Sequence, residues 1–96
     1  MATYIILGKY TDQGIRNVKQ GPQRLDAARQ AIQAQGGKID FYLTMGQYDF
    51  VAVTEAPDDE TYARTILTIG SQGNISTQTL KAFPEADYRR LIASLP

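Results

Sequence analysis

The side chains best suited to chemistry gather in two places. Thr11, Gln13, Gly14 and Asn17 follow the first apolar run, where the free backbone N–H groups of a helix start and nearby hydroxyl and amide groups can meet an anion or polar ligand. Tyr48 and Asp49 lie beside Gly46 in the string Gly46-Gln47-Tyr48-Asp49, and a neighbouring phenol and carboxylate can hold a ligand or handle a proton. Tyr42, on the preceding run, completes the ligand-binding candidates. Each has an ordinary structural explanation beside the functional one. Thr11 suits a helix N-cap, Asp49 can accept turn N–H groups, and Tyr48 can cover a sheet edge. Tyr4, Tyr10 and Tyr42 could line a cleft, yet aromatic residues at strand spacing equally build a core. Arg24, near a helix start, reads as a solvated or ion-paired surface group.

Composition narrows the chemistry further. The chain has no His and no Cys, which removes the commonest general base, thiolate and imidazole metal ligands, a cysteine nucleophile and the usual haem ligand. Its carboxylates show no paired ligand spacing, so no metal site and no cofactor are assigned. Ten basic and ten acidic residues are interspersed and sum to zero charge, without the basic footprint that a nucleic-acid backbone requires. No run approaches the roughly 20 apolar residues of a membrane span, and Met1 to Leu7 lacks a basic leader region, so the expected location is cytoplasmic with no membrane partner. Asn74-Ile75-Ser76 matches a glycosylation acceptor only by chance on that reading.

The elements that must position these residues follow from periodicity. Ninety-six residues suffice for one domain, spanning 1–96. Thr3 to Tyr10 alternates Tyr4, Ile6, Gly8 and Tyr10 with Ile5, Leu7 and Lys9, a strand apolar on both faces. A short helical turn around Ile15 and Val18 precedes a helix opening at Pro22, whose stripe is Leu25, Ala28, Ala31 or Gln35, and Ile32, with Arg24, Arg29 and Gln30 outward. That helix ends at Gly36-Gly37. Strands from Ile39 to Met45 and from Phe50 onward flank Gly46, which reads as the structural turn glycine of a tight hairpin. Pro57-Asp58-Asp59-Glu60 starts a second helix with an expected buried stripe of Ala63, Ile66, Leu67 and Gly70. Ile75 to Phe83 forms the last strand, and Pro84 opens a closing helix with Tyr88, Leu91, Ile92 and Leu95 on one side.

The order β-α-β-β-α-β plus a tail helix predicts an α+β, ferredoxin-like fold: a four-stranded antiparallel sheet with helices on one face and an extra C-terminal helix. Two helices cover one sheet face only. The other, drawing on Tyr4, Ile6, Tyr42, Val51, Val53 or their alternates, is too apolar to leave in water, so a sheet-to-sheet homodimer is expected.

With these elements placed, Gly46-Gln47-Tyr48-Asp49, Thr11 to Ile15, Gly36-Gly37-Lys38, Gly73 to Thr77 and Thr79 to Phe83 together resemble the GYD domain family over essentially the whole chain. The resemblance implies a dimeric α+β barrel, in which ferredoxin-like domains pair through their sheets. More distantly, Gly46 to Asp49 followed by Gly73 to Thr79 is similar to the effector-binding half of leucine-responsive and asparagine-type transcription regulators, which bind small molecules at subunit interfaces. No helix-turn-helix precedes it here.

The first functional expectation is a homodimeric module that binds or senses a small molecule, in a pocket between sheet and helix or at the dimer boundary. The alternative is a cofactor-free monooxygenase or isomerase of the dimeric α+β barrel type, with Tyr48 or Asp49 handling a proton. A third is a structural or partner-binding dimer.

Overall fold

Alternating side chains and well-placed caps produce the expected order of elements. The computed structural model describes residues 1–96. It contains β1 (Ala2–Tyr10), α1 (Asp12–Arg16), a 3-10 turn (Val18–Gln20), α2 (Gly21–Ala34), β2 (Lys38–Leu43), β3 (Phe50–Ala56), α3 (Asp59–Ser71), β4 (Ile75–Ala82) and α4 (Glu85–Ala93). The strands form one antiparallel four-stranded sheet in the order β2-β3-β1-β4, the ferredoxin-like arrangement.

One face of the sheet carries the core. Tyr4 and Ile6 of β1 and Phe50, Ala52, Thr54 and Ala56 of β3 are buried on the helix side. Tyr62 of α3 stacks on Tyr4 with ring centroids 4.0 Å apart, and Phe41 packs against Phe50 at 5.3 Å. Tyr4 and Ile6 therefore leave the opposite face to their alternates. There, strand pairing aligns Tyr42, Val51 and Leu7 in one row and Val53, Ile5 and Leu80 in the next.

The rotation of α3 also differs from the expected stripe. Asp58 caps it, its Oδ1 accepting from Thr61 N at 2.7 Å, and Tyr62 must meet Tyr4. That phase turns Tyr62, Ile66 and Ile69 inward and leaves Leu67 72% exposed. The hairpin differs as well: β2 stops at Leu43, and residues 44–49 form a wider loop in place of a tight turn. Thr44 closes this loop twice, with its N–H donating to Asp49 O and its hydroxyl to Tyr48 O. Gly46 lies within it at φ +130°, a geometry that side chains with a Cβ avoid.

At the opposite end of the sheet, α4 packs substantially on no other element. Tyr88, Leu91, Ile92 and Leu95 are exposed, as is Phe83 before it, and the molecule extends over 52 × 31 × 17 Å. Only 10 of the 96 residues are buried, so much of the apolar sequence lacks cover within the chain.

Candidate functional site

Thr11, Gln13, Gly14 and Asn17 do come together, at the end of the sheet where β1 stops. Thr11 caps α1, its hydroxyl accepting from Gly14 N and donating to Gly73 O at 2.6 Å. The Gln13 amide donates to Gln72 O and Asn74 Oδ1, and Thr11 N donates to Asn74 O. Gly14 is buried against this loop; a Cβ there would stand 1.9 Å from Asn74 O. The cluster thus clasps α1 to the α3–β4 connection, and most of its polar groups are engaged within the chain. Asn17 donates to Gln13 O and receives the Arg24 guanidinium on its carbonyl at 3.1 Å.

Asp49 lies at the same end and is also held by backbone. Its Oδ2 accepts from Tyr10 N at 2.8 Å, while its own N–H donates to Gly8 O at 2.8 Å. Tyr48 crosses the open sheet face, donating to Gln78 Oε1 at 3.0 Å beneath the Lys9 ammonium, 5.5 Å from its ring centre. Tyr42 is on that open face too, 60% exposed. The seven candidates therefore share one end of the sheet but divide among a loop clasp, a strand-end anchor and the open face.

On the helix side, a cleft of about 720 Å³ opens between α2, α3 and the sheet. Its walls include Leu25 and Ala28 of α2, Ile66 and Ile69 of α3, and Phe41 and Phe50 of the sheet. Thr65 and Gln35 join the helices across one end with a 2.9 Å hydrogen bond. The lining contains Arg24 and Arg64 and no acidic side chain. Arg24, expected to point outward, contributes to this wall instead. The available signal was the alanine set Ala27, Ala28 and Ala31 on the cleft side of α2, too small to fill the space above the sheet.

Another polar group lies beneath α3. The buried Tyr4 hydroxyl donates to Asp59, which also receives Lys81 Nζ at 2.9 Å, and the Tyr62 and Thr79 hydroxyls are 2.6 Å apart. Burial, reinforced by the Asp59 carboxylate, pushes the Tyr4 phenol up to about 12, and burial raises Tyr62 as well. The hydrogen bonds from Tyr4 and Lys81 hold Asp59 below the usual carboxylate range. Sequence periodicity identified Asp59 only as a first-turn acid, because its partners come from β1 and β4. No group of His, Cys, Asp or Glu is arranged to hold a metal ion, and no helix is long and apolar enough to cross a membrane.

The sheet order and one-sided helices define a ferredoxin-like α+β domain. Residues 4–92 match the GYD domain, and the chain belongs to that family. It is 39% identical over 97 residues, covering 99% of each chain, to a Thermus thermophilus protein described as glutamine synthetase and cystathionine beta-lyase binding protein. The crystal structure of TTHA0845 from the same organism is similar with a TM-score of 0.55 and 26% identity, covering 86% of this chain and 94% of that one. A de novo designed protein, Ferredog-Diesel, shares the fold at a TM-score of 0.54 and 13% identity, with 84% and 85% covered.

Proposed function

We propose that this chain is a protein-binding module that pairs with a second copy through its open sheet face and docks onto a metabolic enzyme. The observation that carries the reading is α4, a helix whose apolar side chains Tyr88, Leu91, Ile92 and Leu95 remain 40–64% exposed and which packs substantially on no other element of its own chain. A nine-residue helix has little stability in water by itself and gains it by laying its apolar side into a groove. The relative described as binding glutamine synthetase and cystathionine beta-lyase supports the choice of an enzyme as occupant. The rows Tyr42-Val51-Leu7 and Val53-Ile5-Leu80 support sheet-to-sheet pairing, since a two-fold axis sets such rows against themselves. On this reading the protein works in the cytoplasm, beside the enzyme it docks onto.

Surface plasmon resonance against purified glutamine synthetase and cystathionine beta-lyase tests the docking. Saturable binding to one of them, reduced at least tenfold by Leu91→Asp, is expected for a buried apolar anchor. Binding to neither enzyme overturns the reading. Loss of self-association in the same variant would instead assign α4 to the dimer interface.

A second reading, binding of a small molecule, is favoured by the cleft between α2, α3 and the sheet, whose volume falls in the usual range of ligand sites. Catalysis of the cofactor-free kind would require Asp49 or Tyr48 to face a substrate, and their hydrogen bonds to Tyr10 N and Gln78 give that reading less support.

A further inference from the structure

We infer that the helix–sheet cleft takes an amphipathic monoanion, a molecule with an apolar chain or ring system and one carboxylate-like head; this rests on the small-molecule reading of the same cleft. The volume of about 720 Å³ and the walls of Leu25, Ala28, Ile66, Ile69, Phe41 and Phe50 suit an apolar body. Charge complementarity decides the head. Arg24 and Arg64 are the only charged side chains in the lining, so the wall is cationic without compensation from within it. Arg64 is paired with Glu60 at 3.4 Å. Arg24 has no carboxylate partner anywhere in the chain and gives only one hydrogen bond, to the Asn17 carbonyl. Its remaining guanidinium donors are available to an anion at the edge of the apolar space. A planar guanidinium offers parallel donors matched to a carboxylate, and such charge-assisted bonds are the stronger kind. A dication would bring positive charge against Arg24, and a neutral ligand would offer its free donors no charged acceptor.

Isothermal titration with decanoate and decanol, both below their aggregation limits, tests the inference on the full chain. Decanoate should bind once per chain and about tenfold more tightly than decanol, the difference expected of one charge-assisted hydrogen bond. Arg24→Gln should remove that preference, so that the variant binds decanoate no more tightly than decanol. Ala28→Trp should obstruct the cleft and weaken both; if its circular dichroism shows misfolding, the more conservative Ala28→Leu should weaken both to a smaller extent. Equal affinities for the two probes, or a preference that survives Arg24→Gln, overturn the anionic head and leave apolar binding in the cleft standing. Failure of both probes to bind overturns the cleft reading together with the inference. Undiminished binding in a folded Ala28→Trp variant places the ligand elsewhere and overturns it as well.

Discussion

At the scale of single residues, Asp49 and Gly46 do separate jobs in the 44–49 loop. Asp49 ties the loop to the end of β1 through Tyr10 N and Gly8 O, so its side chain serves as an acceptor. Asp49→Asn keeps a carbonyl oxygen in place and should cost about 1 kcal/mol or less, whereas Asp49→Ala leaves the Tyr10 N–H without its partner and should cost about 1–3 kcal/mol. Urea denaturation of both variants checks the ranking; equal losses would show that Asp49 acts by something other than accepting this bond. Gly46 has open space around it but a φ of +130°, so the obstacle to a side chain is conformational. Gly46→Val should therefore destabilise by about 1 kcal/mol or more in the same experiment. Tyr4 adds a pH dependence. Its phenol is raised in the folded chain from about 10 to about 12, so the folded state holds the proton more tightly than the unfolded state. The associated stability is intact below about pH 10 and disappears as pH rises through about 12. Melting temperatures between about pH 8 and 11 should fall less steeply for Tyr4→Phe than for the natural chain, with Tyr62 accounting for part of the remaining slope.

At the scale of elements, α1 and α4 stand at opposite extremes of support. Helix α1 has only five residues, and its place depends on the clasp from Thr11, Gln13 and Gly14 to the Gln72–Asn74 segment. Much of that cluster was legible in the sequence as a polar group after β1. Its destination was not, because Gly73 and Asn74 are distant in the chain and meet Thr11 only when β4 pairs with β1. Thr11→Ala removes both the cap and the bond to Gly73 O and should cost about 1–2 kcal/mol, read as a lower denaturation midpoint. Helix α4 has no such attachment. In hydrogen exchange its amides should be among the fastest in any helix of the free chain and slow down when a partner covers Leu91 and Ile92. Fast exchange in the presence of a bound partner would place the contact elsewhere.

At the scale of the whole molecule, apolar surface remains on two sides of the sheet. The helix side leaves a cleft because α2 presents alanines above the large rings of Phe41 and Phe50. The other side presents Ile5, Leu7, Val51, Val53, Tyr42 and Leu80 with no covering element. A second copy on this face predicts twice the chain mass by light scattering at micromolar concentration. Val53→Asp, at the middle of the face, should give a folded species of single-chain mass because it would bury a charge in the pairing surface. An unchanged mass with unchanged circular dichroism would move the interface away from the sheet.

The amino-acid sequence by itself determined the order of the elements, because alternation, Pro22, Asp58 and the glycines at Gly36 and Gly46 act over short range. It also carried the family, since several spaced motifs agree across the chain. The choice of face was decided only in the tertiary structure. In β1 both sets, Tyr4 with Ile6 and Ile5 with Leu7, are apolar, and period-2 alternation cannot rank two apolar faces. Stacking of Tyr62 on Tyr4 settled it, and the same contact set the rotation of α3 and exposed Leu67. The cleft depended equally on distant partners. An alanine stripe shows which way a helix faces, whereas the space left beneath it depends on the bulk of side chains contributed by other elements.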